Sequence, residues 1–260
     1  MAHGVPPNAS RMKNAPRTDN ALSILALAFE VLDDRPDWPV LTVRVNGVDP
    51  FAKIAKDWRG FDPGEILGPK SPLVPDDSGR RVAVYRCSCG IAGCGVIAPF
   101  VVASPDKKRI SWVDFRDYVG VFDGPVTREI EAYEGKSWNL PDIHFDHDQY
   151  LAEVKRARRD RSWETPRRQT ARLLQERLRP IGLVLPPNLN LAWVTPACAK
   201  EGTVLMFQHI TRDTEYNIQQ QMLRLVSSHG DPARAAEDMA NQLLSVLPEQ
   251  WTRRFGHVAG

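Results

Sequence analysis

The run Arg86-Cys87-Ser88-Cys89-Gly90-Ile91-Ala92-Gly93-Cys94-Gly95 places three of the chain's four cysteines within eight residues, between two apolar, strand-like runs. On a strand, residues two apart project to the same side, so Cys87 and Cys89 would share a face. Gly90 and Gly93 let the chain turn tightly and bring Cys94 back within reach. Three converging thiolates occupy three corners of a tetrahedral Zn²⁺ site and leave the fourth open. His144, His147, an acidic side chain and distant Cys198 are the candidates for that corner. The expected set is Cys87, Cys89, Cys94 and His147, holding a structural zinc. The C-x-C-x4-C spacing is not the doubled CxxC of paired zinc motifs. A local disulfide, or three reduced cysteines buried in a glycine hairpin, are the alternatives.

Composition narrows the setting. Four cysteines in 260 residues are too few for a disulfide-dense secreted scaffold. Residues 1–20, with Gly4, Pro6, Pro7, Asn8, Ser10 and Pro16, read as a disordered tail rather than a secretory signal. No apolar run is long enough to span a bilayer. The expectation is therefore a cytoplasmic, reducing environment with no membrane partner, where clustered cysteines favour metal or thiol chemistry.

Periodicity supplies the elements. Leu25, Leu27, Phe29 and Val31 alternate, as do Leu41, Val43 and Val45, predicting a hairpin over residues 22–46, with a helix from Leu22 to Val31 as the alternative. Asp49-Pro50 suggests a short helix with Phe51, Ile54 and Ala55 on one face. Residues 60–79, rich in Pro, Gly and Asp, read as a long loop. Arg81–Cys89, Val96–Ala103 and Ile110–Phe115 are predicted strands of an antiparallel meander, with Pro99 demanding an edge or a bulge. Residues 120–140 are irregular. Asp146 caps a helix from His147 to Arg159, with Gln149 in the capping-box position. Thr165-Pro166 opens a second helix with Ala171, Leu174 and Leu178 inward, which Gly182 and Pro186-Pro187 end. Strands are predicted over 189–194, 203–210 and, after a turn at Arg212-Asp213, 216–226, where the Gln and Leu content leaves a helix as the alternative. A last helix after Asp231-Pro232 carries Ala235, Met239, Gln242 and Val246, with Trp251 and Phe255 packing back. The fold class expected is α+β. Residues 21–162 would form an antiparallel β-rich domain with the cysteine-knuckle hairpin, and residues 163–260 a smaller helix–strands–helix domain.

The segment Val84-Tyr85-Arg86-Cys87-Ser88-Cys89-Gly90 with Gly93-Cys94-Gly95, followed by Ile110-Ser111-Trp112-Val113-Asp114-Phe115, resembles a family of uncharacterised actinobacterial proteins. These share an R-C-S-C-G-x-x-G-C-G hairpin and a W-x-D-F strand. Phe145-Asp146-His147-Asp148-Gln149-Tyr150 resembles the same family's F-D-x-x-x-Y helix start. The resemblance covers roughly residues 40–160. It implies a bacterial protein in which the knuckle is a structural unit, and it implies no activity.

Two other features carry chemistry. Residues 153–180 hold ten Lys or Arg against four acids. Arg156, Arg158, Arg159, Arg167 and Arg168 are the candidates there for anion or nucleic-acid binding. A solvated helix face explains the same charges. His144, Asp146, His147 and Asp148 are residue types used in metallohydrolases, but their spacing fits no defined motif. P-loop, G-x-S-x-G and H-E-x-x-H signatures do not occur. The expected function is a non-enzymatic, protein-partner-binding protein with a structural, zinc-filled knuckle. The rivals are a metal-dependent hydrolase using the cysteine or His/Asp cluster, and a nucleic-acid-binding module using the basic segment.

Overall fold

The computed structural model describes residues 21–32, 35–68, 70–127, 133–179, 189–198, 200–211 and 217–256. The expected tail over residues 1–20, the helix-ending residues Gly182, Pro186 and Pro187, and the Arg212-Asp213 turn lie outside them. The architecture is α+β, with antiparallel ladders and short helices. The chain packs as two compact units. Counting only the described residues, one draws on 21–27, 43–59 and 70–155, and the other on 28–42, 60–68 and 156–256.

The first two strands are β1 (Leu25–Leu32) and β2 (Arg35–Val45), paired as a two-stranded sheet. The strand reading of this alternating stretch therefore holds over the helical alternative. β2 begins at Arg35, inside the polar stretch expected as loop; its first residues lie largely exposed, and burial begins at Pro39. The Asp49-Pro50 expectation is corrected: residues 50–57 form successive turns rather than a helix. Asp49 spends its side chain on the Phe51 amide (2.7 Å) and the Tyr85 hydroxyl (2.9 Å). Phe51 and Ala55 are buried as expected, whereas Ile54 is exposed. A short strand, β3 (Arg59–Gly60), follows. The expected loop then contains a one-turn helix, α1 (Pro63–Ile66), capped by Asp62 on the Gly64 amide at 2.8 Å. Ile66 and Leu73 anchor this stretch with no exposure at all.

In the first unit, β5 (Tyr85–Arg86), β6 (Val96–Ala103), β7 (Arg109–Tyr118) and β8 (Lys136–Ser137) lie side by side in that order. β4 (Arg80–Arg81) also pairs β6, and β9 (Ile143–Asp146) pairs β7, all antiparallel. The single strand expected over Arg81–Cys89 is thus split in two and stops at Arg86. Pro99 sits at a bulge: the register passes from Phe100↔Val113 to Ala98↔Arg116, so Asp114 and Phe115 together oppose it. Proline has no N–H to donate, and the Pro99 carbonyl accepts from the Val82 amide at 3.0 Å. Asp114 takes φ 47° there, in the left-handed region.

α2 (His147–Arg159) has the expected bounds, and Asp146 Oδ1 accepts from the Gln149 amide at 2.9 Å. Gln149 does not close a capping box. Its side-chain amide donates to the Leu25 carbonyl (2.8 Å) and accepts from the Leu25 amide (3.1 Å), while Glu153 accepts from the Leu27 amide (2.7 Å). The helix thereby bonds directly to the β1 backbone at Leu25 and Leu27. Tyr150 faces inward among Trp112 and Phe145, with ring centroids 5.3–6.4 Å apart. Its hydroxyl accepts from Trp112 Nε1 (3.1 Å) and donates to the Leu73 carbonyl (2.8 Å). Burial pushes this phenol well above its ordinary range, so it stays a neutral donor.

In the second unit, Thr165 caps α3 (Pro166–Leu178). β10 (Leu189–Pro196), β11 (Thr203–Thr211) and β12 (Asn217–Leu225) form an antiparallel sheet in sequence order. Asp231 caps α4 (Pro232–Leu244), and a 3-10 turn at Pro248 leads into α5 (Trp251–Phe255). Leu174 and Leu178 of α3 meet Leu205, Phe207, Leu223 and Leu225 of the sheet and Ala236, Met239 and Leu243 of α4. Trp251 closes this core against Phe207, with centroids 5.2 Å apart, and its indole N–H is satisfied by the Leu243 and Val246 carbonyls. Among the described residues, no helix is long and apolar enough to cross a membrane.

Candidate metal centre

The knuckle joins β5 to β6. At its base the Cys87 amide donates to the Gly95 carbonyl (3.0 Å), continuing the hairpin one rung past Arg86. The chain then reverses: the Gly90 amide bonds back to the Cys87 carbonyl (2.9 Å), and Gly90 takes φ 81°. That left-handed turn explains the glycine. A 3-10 turn over Ala92–Cys94 follows, with the Cys94 amide bonded to the Ile91 carbonyl (3.1 Å). Gly93 offers its carbonyl to the Gly120 amide (2.8 Å), which ties the knuckle to the segment after β7. At Gly95 a Cβ would come within 3.3 Å of the Trp58 ring, and Trp58 in turn packs on Trp138 at 5.9 Å.

This backbone brings the Sγ atoms of Cys87, Cys89 and Cys94 within 4.8 Å of one another. All three are free thiols; Cys89 and Cys94 are exposed and Cys87 is partly covered. A tetrahedral zinc with Zn–S bonds of about 2.3 Å separates its sulfurs by about 3.8 Å, so a small closure of side-chain torsions completes the geometry. The convergence arises differently from the strand-parity argument. Cys89 has left the ladder, and a tight turn, not a shared strand face, carries it to Cys87.

Electrostatics at the cluster match a cation site. Cys87 and its neighbours hydrogen-bond to Cys89 and hold its thiol below the ordinary range. Cys94, facing Cys87 and Cys89, is pushed up to about 11. Three adjacent thiols cannot all ionise without mutual repulsion, and a bound divalent cation removes that obstacle.

Among the described residues, these three cysteines are the converging group of three or more His, Cys, Asp or Glu side chains. His147 is not in it: its Nδ1 lies 2.9 Å from Asp148 Oδ1, and its amide donates to the Lys108 carbonyl. His144 pairs through Nδ1 with the Ser111 hydroxyl at 2.8 Å, and Asp146 is occupied as the α2 cap. Cys198 is exposed and also outside the group.

Several arginines of the basic segment are ion-paired. Arg167 meets Asp37 (2.5 Å) and the carbonyls of Ala197 and Lys200. Arg168 pairs with Asp62 (2.7 Å) and lies over the Trp163 ring at 5.0 Å. Arg172 is held between Glu164 and Glu176, and Arg156 pairs with Asp160. Arg159 is exposed and Arg158 half-buried. The sequence did not disclose Asp37 and Asp62 as counter-charges, because both are distant in the chain.

No protein-family model, curated protein or solved structure matches the chain.

Proposed function

We propose that this chain is a metal-fastened binding protein. In this reading Cys87, Cys89 and Cys94 hold a zinc-class divalent cation that pins the β5–β6 hairpin. The sheet so fastened presents a surface to a protein partner. The observation that carries the reading is the convergence of three free thiols within 4.8 Å on one glycine-rich turn. Thiolate donors select soft and borderline metals such as zinc over magnesium or calcium. A reducing setting such as the cytoplasm belongs to this reading, since it would keep the three neighbouring thiols available to a metal.

A non-enzymatic role is supported by the duties already assigned to the acid–base residues. Asp146 caps a helix, His144 is bonded to Ser111 and His147 to Asp148, so the groups a hydrolase would draw on do not face a common point. The nucleic-acid reading draws less support, since Arg167, Arg168 and Arg156 have acidic partners. The test is thermal melting of metal-free protein with and without added zinc. A ligand that binds the folded state raises the midpoint. A rise that Cys89→Ser abolishes is expected, and an unchanged midpoint contradicts the proposal.

A further inference from the structure

The turn supplies three thiols, and among the described residues no histidine, aspartate, glutamate or further cysteine joins the group. Two of the three ligand residues, Cys89 and Cys94, are exposed, so the outer side of a cation bound there faces solvent. Ile91, at the tip of the same turn, is 64% exposed, leaving that approach uncovered. We propose, building on the metal reading above, that the knuckle's cation has an exchangeable fourth position filled from outside the chain by a neutral imidazole.

Charge selects the donor. Three thiolates and a divalent cation already sum to one negative charge. A fourth thiolate doubles it, whereas an imidazole nitrogen leaves it unchanged and is a good zinc ligand. Three protein ligands with one exchangeable position is the arrangement zinc sites use when they must bind something further. Here the incoming group is a free imidazole compound or a histidine side chain of a partner. The second source would turn the fastening of the hairpin into the point at which a partner docks.

The experiment loads the full chain with cobalt(II), whose thiolate charge-transfer and d–d absorption report the metal's ligands. The protein is then titrated separately with imidazole and with the peptide Gly-His-Gly. A charge-transfer band with a d–d envelope that shifts saturably on imidazole addition is expected. The peptide reproducing that shift assigns the position to a partner's histidine; imidazole alone doing so assigns it to small ligands. A charge-transfer band with a d–d envelope that neither additive moves means the fourth position is already filled. That overturns this inference and leaves the metal reading standing. Absence of the charge-transfer band overturns the metal reading and this inference with it.

Discussion

At the residue scale, three positions carry specific duties. Cys89 contributes one of three converging sulfurs. Cys89→Ser is expected to release metal and lower the melting midpoint of the loaded protein, while Cys198→Ser, outside the group, leaves metal content unchanged. Equal loss in both variants would contradict the assignment. Gly60 is required by close approach: a Cβ there would lie 1.7 Å from the Leu41 carbonyl oxygen, on backbone that also bonds Leu41 N–H to Phe61. Gly60→Ala must displace one strand, and a loss of about 2 kcal/mol or more in denaturant unfolding is expected; wild-type stability would refute the contact. Asp114 gives a pH signature. Burial acts to raise its carboxyl, but Arg81 and Arg116 more than offset this and hold it below the usual range. A folded-state pKa below the unfolded one contributes stability above the unfolded value, lost as pH falls through the folded one. Asp114→Asn should therefore melt lower than wild type near neutrality and converge with it in acid. A gap that persists unchanged in acid would show that charge is not the cause.

At the element scale, helix α2 serves a strand as well as the core. Gln149 and Glu153 together partner the Leu25 and Leu27 backbone. Gln149→Leu leaves part-buried backbone groups unpaired and should cost about 1–3 kcal/mol, read as a lower urea midpoint; an unchanged midpoint would mean water replaces the amide without cost. Local signals identified α2, α3 and α4, because the caps Asp146, Thr165 and Asp231 are encoded within a few residues of the turns they serve. Period-2 alternation likewise identified β1 and β2, and Pro99 called for an edge or a bulge, of which the fold uses the bulge. What failed was long-range. Gln149 fits a capping box by spacing, yet Leu25, far away in sequence, takes its side chain. Asp49-Pro50 has helix-start chemistry, yet Asp49 is shared with Tyr85. The strand over Arg81–Cys89 breaks where the knuckle turn begins, and nothing in an apolar run announces that.

At the scale of the whole molecule, each unit encloses its own apolar core. One gathers around Trp112, Phe145 and Tyr150, the other around Phe207, Leu223, Leu243 and Trp251. The basic segment, conspicuous in sequence, is absorbed by acids supplied from Asp37, Asp62 and Glu164. Lys155, Arg159 and Arg161 stay exposed, but the paired arginines are less available to displace counterions, so weak binding to DNA or RNA even at low salt is expected. Tight binding with a steep salt dependence would instead revive that role. The cysteine cluster differs in kind: its spacing announced convergence, but only the folded turn showed that His147 stays outside the group. The central claim is that the three thiols hold a metal. Elemental analysis of protein purified without chelator tests it most directly: about one equivalent of zinc per chain is expected, and less than about a tenth would contradict it.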